Sequence, residues 1–344
     1  MAIRFLEGFD GLLSTAQVVR KWGFVNGTPI LQASGRNSGG NANLTFGWFF
    51  EIPLLIATQT VIIGAAINPI APRSANADLF EIGARNSSVQ IRVRLRSSDD
   101  KLEIFRGGAA SIGESDTALI TGSYTYVEIK AFIDNAVGTV EVKFDGHTVA
   151  TIGPVNTQGA SDAFINSLQV RGDSGGGVRI DDMYVADTSG TFNKDFLGDC
   201  RVDTLLATAD DVAEFDTVFP ASPTTHFSKV DETGGVDEDT TYVETPTNGD
   251  RDILEFSNLP VHPEPTQVLA VQPWSYAKKQ QGSGDQSVRH LVRPITTIYN
   301  QVPQGGNAED WRVMQEAIIE TNPETGLGWM EAEVDAAKFG LEVV

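Results

Sequence analysis

The sequence predicts an all-β protein of two domains, and three observations support this. Residues 138–152 read GTVEVKFDGHTVATI, in which apolar and charged residues alternate up to Asp145-Gly146, a pair suited to a type I′ turn, before a second β-branched run. Residues 89–95 alternate apolar with polar side chains, as a half-buried strand does. Similar short runs recur between Gly, Asn, Asp and Ser residues, and no helix of three turns is needed before residue 190.

The first domain is predicted to span residues 1–190. Besides the hairpin at 138–152 and the strand at 89–95, we expect strands at 44–54, 102–105, 124–133, 164–170 and 178–185. The apolar stretch 52–70 is interrupted by Gln59, Asn68 and Pro69, so core strands suit it better than a membrane span. Thr188, Ser189 and Gly190 then form a plausible domain boundary.

The second domain is predicted to span residues 191–344 and to be β-rich. Strands are expected at 240–243, 252–256, 268–277 and 287–292, whereas 310–320 suits a strand or a helix equally well. Residues 331–338 predict a short helix that Gly340 stops. The apolar residues 339–344 predict a last strand that pairs back into the sheet.

The charge of the chain is strongly negative and unevenly placed. The net charge is −21, with 19 acidic against 15 basic residues in 1–190 and 27 against 10 in 191–344. This balance argues against nucleic acid and anionic membranes as partners, because phosphate binding needs basic patches. A single cysteine, Cys200, rules out an internal disulfide, so stability must come from cores or from oligomerisation.

Two groups of motifs resemble known families. The segments LEGFD (6–10), DGHTVAT (145–151) and RIDDMYVAD (179–187) resemble concanavalin A-like, laminin-G-type jelly rolls. The second half is similar to the tail half of structural proteins of tailed bacteriophages, in the segments DFLGDCRVDTLL (195–206), SKVDET (228–233), DTTYV (239–243) and TNPETGLGWMEAEVDAAKFGLEVV (321–344). The resemblance implies a concanavalin A-like jelly-roll sandwich followed by a β-rich assembly domain with a short C-terminal helix.

The same resemblance implies a non-enzymatic virion protein. We expect it to be made in the host cytoplasm, since the first residues lack the pattern of a signal peptide. We expect a surface appendage, a head or tail fibre component, that assembles with other virion proteins as a homo-oligomer, with a trimer favoured. Host-surface glycan is the expected ligand of the jelly roll. Two alternatives stay open: a capsid or tail decoration (cement) protein without a ligand, and a polysaccharide-degrading enzyme.

The strands lack the carboxylate pair of such an enzyme. Jelly rolls that cut polysaccharide use carboxylates two positions apart on one strand face. Here Glu128 is followed two places later by Lys130, and Glu141 by Lys143. No enzyme is therefore predicted. The four histidines are far apart, and none has a second His or Cys at metal-ligand spacing; they are His147, His226, His262 and His290.

Asp181 and Asp182 form the most informative polar pair. Strict alternation would bury Asp182 beside Val178 and Ile180, and a buried carboxylate needs a partner. Three interpretations stay open: a β-bulge that turns both carboxylates to the sheet rim, hydrogen bonds to the backbone near Phe9 and Asp10, or a Ca²⁺ ion, which related sandwiches hold with such oxygens. The candidate calcium or structural site is thus Asp10, Asp181 and Asp182, and no other cofactor is expected.

Arg92, Arg94 and Arg96 form a basic stripe on one face of their strand. One interpretation is a solvated face that nearby acids balance. The other is a ligand or subunit contact, for an acidic glycan or for an acidic neighbouring subunit.

Overall fold

The structure, a computed structural model, divides the chain into two compact units. It describes residues 2–11, 21–22, 24–26, 30–32, 35–37, 40–44, 49–70, 73–84, 88–108, 110–172, 177–232, 235–261, 267–279, 287–305 and 310–344. The first unit comprises Met1–Asp10 and Ser14–Val202, and the second comprises Gly11–Leu13 and Asp203–Val344.

The first unit is a sandwich of two antiparallel sheets. Its strands are β1 (Ile3–Glu7), β2 (Phe24–Asn26), β3 (Ile30–Gln32), β4 (Asn41–Leu44), β5 (Phe49–Thr58), β6 (Thr60–Pro69), β7 (Ala77–Ala84), β8 (Ser88–Leu95), β9 (Lys101–Arg106), β10 (Ala110–Ala118), β11 (Thr125–Phe132), β12 (Gly138–Phe144), β13 (His147–Val155), β14 (Ile165–Arg171) and β15 (Val178–Asp187). An eight-stranded sheet has the order β13-β12-β11-β6-β15-β4-β3, with β1 also paired to β15. A seven-stranded sheet has the order β10-β9-β8-β7-β14-β5-β2. The predicted jelly-roll sandwich is confirmed.

Alternation along the strands builds the core of this sandwich. In β8, Ile91, Val93 and Leu95 are fully buried, while the arginines between them face outward. In the predicted hairpin, β12 and β13 are joined by Asp145 (φ 46°) and Gly146 (φ 80°), as a type I′ turn requires. The hairpin prediction is therefore confirmed.

Residues 195–202, here called the strap, lie on the outer face of the eight-stranded sheet. Phe196, Leu197 and Cys200 pack against an apolar cluster on that face, formed by Ile62, Ala66, Tyr126, Tyr184 and Ala186. The first unit therefore extends beyond the predicted boundary at residue 190, because apolar side chains of the following segment are needed to cover this cluster.

A buried carboxylate fastens the strap. Glu128 is 1% exposed, and its Oε1 accepts hydrogen bonds from the backbone N–H groups of Leu197 and Gly198, both at 2.9 Å, and from the Tyr184 hydroxyl at 2.6 Å. These charge-assisted bonds compensate for the burial of the carboxylate. The Tyr184 ring lies directly on Gly64, where a Cβ atom would approach it to 2.0 Å, so this position requires glycine.

The second unit is built from shorter strands and one helix. Its strands are β16 (Ala207–Ala213), β17 (Thr217–Phe219), β18 (Tyr242–Glu244), β19 (Arg251–Phe256), β20 (Trp274–Ala277), β21 (Ser287–Arg293), β22 (Tyr299–Asn300), β23 (Gln304–Gly305), β24 (Arg312–Gln315) and β25 (Lys338–Val343), with a 3₁₀ turn at Phe227–Lys229 and the helix α1 at Glu331–Ala336. A six-stranded sheet has the order β16-β19-β25-β21-β22, with β23 also paired to β21, and two ribbons pair β17 with β18 and β20 with β24.

The C-terminal helix and strand are confirmed and two other predictions are refined. Helix α1 forms where it was expected, and β25 pairs with both β19 and β21. The expectation that Gly340 stops the helix was wrong, because the helix ends at Ala336 and Gly340 lies within β25. The ambiguous segment 310–320 contains strand β24. Of the strand predicted at 268–277, β20 forms, while Val268 and Val271 make single bridges to Trp329 and Ile319. Among the described residues, no helix has both the length and the apolar character needed to cross a membrane.

Candidate functional site

The predicted arginine stripe lies on the outer face of the seven-stranded sheet, and each of its members is ion-paired. Arg94 Nε lies 2.7 Å from Asp78 Oδ1, and Arg92 Nε lies 3.1 Å from Glu81 Oε1. Both acids belong to the neighbouring strand β7, where the register places Asp78 opposite Arg94 and Glu81 opposite Arg92. The positive charge of the stripe is thus balanced within the sheet.

Arg96 has a different setting at the end of the same strand. Its guanidinium contacts Asp99 at 2.6 Å and Glu114 at 2.5 Å, both of which are exposed acids. The hydrogen bond from Arg96 is the main reason that the pKa of Asp99 is lowered. Arg96 therefore belongs to a solvated turn rather than to the centre of the sheet.

The ion pairs are part of a polar row that crosses four strands. Strand register aligns Arg92 with Glu81, Glu81 with Gln169, and Gln169 with Glu51. Arg171 Nη1 reaches Glu81 Oε2 at 2.5 Å, and Gln169 Nε2 lies 3.4 Å from Glu51 Oε2. We call this set the polar row; from β8 to β5 it comprises Arg92, Glu81, Gln169 and Glu51.

Aromatic rings support the arginines at both ends of this face. The guanidinium of Arg94 lies 4.7 Å from the centroid of the Phe105 ring, and that of Arg171 lies 5.5 Å from the Phe49 ring. A guanidinium that is both ion-paired and stacked on a ring loses little further freedom when a ligand binds. The side chains of Arg92 and Arg94 remain 18% and 25% exposed, so their N–H groups can be reached from solvent.

This face combines fixed donors with fixed acceptors. Arginine forks donate hydrogen bonds, carboxylates accept them, and an amide does both, so the row matches the vicinal hydroxyl groups of a sugar. The described strands of this sheet contain no histidine, tyrosine or cysteine. The face thus lacks several of the side chains that commonly transfer protons in catalysis.

The Asp181–Asp182 pair occupies a β-bulge, as one of the three interpretations requires, but both residues are buried rather than turned out at the sheet rim. The register of β15 with β6 shifts between Asp181 and Tyr184, and Asp182 adopts a positive φ of 48°. Asp181 Oδ1 accepts the N–H of Asp182 at 2.8 Å, and its Oδ2 accepts the N–H of Arg36 at 2.6 Å.

The other aspartates of this site are also held by N–H donors. Asp182 Oδ1 accepts the N–H of Val202 at 2.9 Å, its Oδ2 accepts Asn37 Nδ2 at 3.2 Å, and Asp10 Oδ1 accepts the N–H of Gly40 at 2.6 Å. The pair accepts the backbone N–H groups of Arg36 and Val202. Asp10 lies close enough for its charge, after burial and the charge of Asp182, to help raise the pKa of Asp181.

Asp10, Asp181 and Asp182 do not fit a calcium ion in the described part of the chain. No group of three or more His, Cys, Asp or Glu side chains there is arranged to hold a metal. The oxygens of Asp181 and Asp182 face N–H donors, and the Arg36 guanidinium lies 3.6 Å from Asp182 Oδ2. Burial, and next the charge of Asp182, raises the pKa of Asp181 to about 8. The geometry therefore favours the structural interpretation of this cluster.

The second unit contains two buried histidine–carboxylate pairs that the spacing of histidines and cysteines in the sequence did not indicate. His226 Nδ1 lies 2.6 Å from Asp252 Oδ2, and His290 Nδ1 lies 3.0 Å from Glu316 Oε1. In each pair the partner lies on a different segment of the chain, so no local spacing could have indicated it. His147 is exposed at the hairpin turn, and His262 lies outside the described residues.

Comparison with known proteins gives structural likenesses only. No protein-family model and no curated protein sequence matches the chain. The alginate lyase Aly36B, in complex with an alginate tetrasaccharide, is 8% identical with a TM-score of 0.38 over 53% of this chain and 95% of that chain. The cellulose induced protein Cip1 is 19% identical, with a TM-score of 0.37 over 46% of this chain and 85% of that chain. The carbohydrate binding module CBM66 from Bacillus subtilis is 9% identical, with a TM-score of 0.33 over 47% of this chain and 94% of that chain. At these identities the likeness concerns the fold alone.

Proposed function

We propose that the chain is a non-enzymatic structural protein of a tailed-phage virion, and that its first unit binds host-surface glycan on the outer face of the seven-stranded sheet. The observation that carries the binding role is the polar row. It holds donors and acceptors in a fixed register on four adjacent strands, and strand-borne sites are more rigid than loop-borne ones.

The charge balance of the row favours a neutral glycan. An acidic ligand would have to displace Asp78 and Glu81 from the arginines that they already contact. Neutral hydroxyl groups, by contrast, can add to the remaining N–H donors and carboxylate lone pairs without breaking an ion pair.

The non-enzymatic part of the proposal is supported by how these acids are engaged. Glu81 is held between Arg92 and Arg171, so its oxygens orient arginines rather than face a glycosidic bond as a free pair. The virion assignment is supported by the resemblance of residues 195–206, 228–233, 239–243 and 321–344 to phage structural proteins. Weak binding by each copy suffices on a particle, because many copies act together.

The test is a glycan array probed with the purified full chain and two variants. We expect neutral glycans to be bound, and Arg92→Ala to weaken binding about tenfold, because it removes the arginine of the row. Arg96→Ala is the matched control, since it changes the same residue type on the same strand face but outside the row.

A third variant, Gln169→Ala, separates a loss of binding from a folding defect, because it removes a member of the row without breaking an ion pair. It should also weaken binding while leaving the melting temperature unchanged. The glycan-binding role would be rejected if the array showed no binding, or if Arg92→Ala and Arg96→Ala lost binding equally.

A further inference from the structure

Two aromatic rings of the second unit stack on one another at the end of the ribbon that β20 and β24 form. Trp311 directly precedes β24, and the antiparallel register brings it beside Lys278, which directly follows β20. The ring centroids of Tyr276 and Trp311 are 5.4 Å apart, and the ring planes differ by only 4°. Both residues are only partly buried. The ribbon therefore presents a rigid aromatic surface to solvent.

A lysine side chain already occupies this aromatic surface. The Lys278 ammonium lies 5.0 Å from the centroid of the Trp311 ring, which is within the range of a cation–π contact. The same ammonium is ion-paired with Asp239, whose carboxylate also accepts the indole N–H of Trp311 at 3.2 Å. The hydrogen bond from Lys278 is the main reason that the pKa of Asp239 is lowered. A ring, a carboxylate and an ammonium group thus meet at one place.

This place is open to solvent. The Asp239 side chain is 68% exposed, and that of Lys278 is 32% exposed. Exposed ion pairs contribute little to stability, so Lys278 can leave the ring at little cost. The position of its ammonium shows that the ring and the carboxylate leave room for a cation between them.

The surrounding charge favours a cation as ligand. A second carboxylate lies beside the stacked rings, because Glu238 Oε1 accepts the Tyr276 hydroxyl at 3.0 Å. Residues 231–239 read DETGGVDED and contain five acidic residues and no basic one. A surface of one sign of charge raises the local concentration of ligands of the opposite sign.

We propose that Trp311, Asp239 and Glu238 form a binding site for an organic ammonium ligand, a primary amine on a hydrocarbon chain. The ammonium lies over the Trp311 ring and donates a hydrogen bond to Asp239, as the lysine does. The hydrocarbon chain contacts the exposed part of the stacked rings. Lys278 is then an internal competitor, which fills the site until such a ligand displaces it.

This site is separate from the polar row, because it lies in the second unit and the row lies in the first. The ligands also differ, since the row suits neutral hydroxyl groups and this site requires a positive charge. The proposal does not depend on the function proposed above, and it can hold or fail without it.

The experiment titrates the full chain with n-butylammonium and follows the indole N–H signal of Trp311 by NMR. The signal is assigned by its absence from the spectrum of Trp311→Phe. The neutral analogue 1-butanol is titrated separately at the same ionic strength. Saturable binding of butylammonium, at least about tenfold tighter than that of butanol, is expected.

Two variants test the roles of the lysine and the carboxylate. Lys278→Met keeps the length of the side chain and removes its charge, so butylammonium should bind several-fold tighter once the competitor is gone. A damaged fold would not produce this direction of change. Asp239→Asn should weaken binding several-fold without lowering the melting temperature, because the carboxylate is mostly exposed.

Lys130→Met is the matched control. Lys130 is likewise a partly exposed lysine, ion-paired with Asp195 and 5.8 Å from the Phe196 ring, but it lies in the first unit. The variant should leave butylammonium binding at Trp311 unchanged. The proposal is overturned if butylammonium causes no saturable shift of the Trp311 signal, or if butanol binds as tightly. It is equally overturned if Lys278→Met binds butylammonium no tighter than the parent chain does.

Discussion

His290 shows how a single buried residue can make stability depend on pH. The residue is 3% exposed, and its Nε2 has no partner in the described part of the chain. Burial lowers the pKa of His290 below its usual 6.5, outweighing the nearby Glu316 carboxylate, which acts in the opposite direction. The folded state therefore holds the imidazole neutral.

The first prediction at this scale is a loss of stability in acid. In the unfolded chain His290 takes up a proton near pH 6.5, whereas in the folded chain it does so only at lower pH. The stabilisation that comes from neutral His290 is therefore present above pH 6.5 and is lost as the pH falls through the pKa that His290 has in the folded state. An NMR titration of the His290 ring checks this directly. A midpoint above 6.5 would refute it, and His290→Gln, which can still donate to Glu316, should not show this titration.

At the same scale, the sequence indicated some residues and concealed others. The arginine stripe could be predicted because alternation is visible along one strand. Its partners Asp78 and Glu81 could not, because cross-strand register depends on long-range pairing. For Asp182, strict alternation failed at a bulge, and bulges leave no reliable mark in a single sequence.

Among the structural elements, the strap depends most on one side chain. Glu128 accepts the bonds from Leu197, Gly198 and Tyr184 described above, and the Leu197 N–H also reaches the Tyr184 hydroxyl at 3.2 Å. Strand β11 was predicted from its alternation. The strap was not, because it has no periodic pattern and its acceptor lies about 70 residues earlier in the chain.

We predict that Glu128→Ala lowers the free energy of unfolding by about 3 kcal/mol, because one buried and two partly buried donors lose a charged acceptor. It should also release the strap and speed the reaction of Cys200 with a thiol reagent. In the parent chain that thiol is partly buried, and burial raises its pKa to about 12. The measurements are thermal unfolding and the rate of thiol labelling.

The control for this element is Glu141→Ala on the adjacent strand β12, where the side chain is 37% exposed. It should change neither the unfolding free energy nor the labelling rate. Equal labelling rates in Glu128→Ala and the parent chain would show that another contact fastens the strap.

For the whole molecule, the open question is how many copies assemble. We predict a trimer, with a mass by light scattering of three times the 37.0 kDa chain. Residues 191–344 carry 27 acidic against 10 basic residues, so association should strengthen as salt screens their repulsion. A monomer at every salt concentration would contradict the prediction and favour a protein that assembles only on a particle.

The pairing of β1 with β15 determines how the first unit would respond to a pulling force. The strands are antiparallel, with Ile3 beside Ala186, so a pull on residue 2 against residue 188 acts at one end of the ladder. Such loading peels hydrogen bonds one at a time instead of shearing them together. A force applied to the chain beyond Val202 acts first on the strap, through its backbone hydrogen bonds to Asp182 and Glu128. The strap bonds are therefore loaded before the β1–β15 ladder of the sandwich.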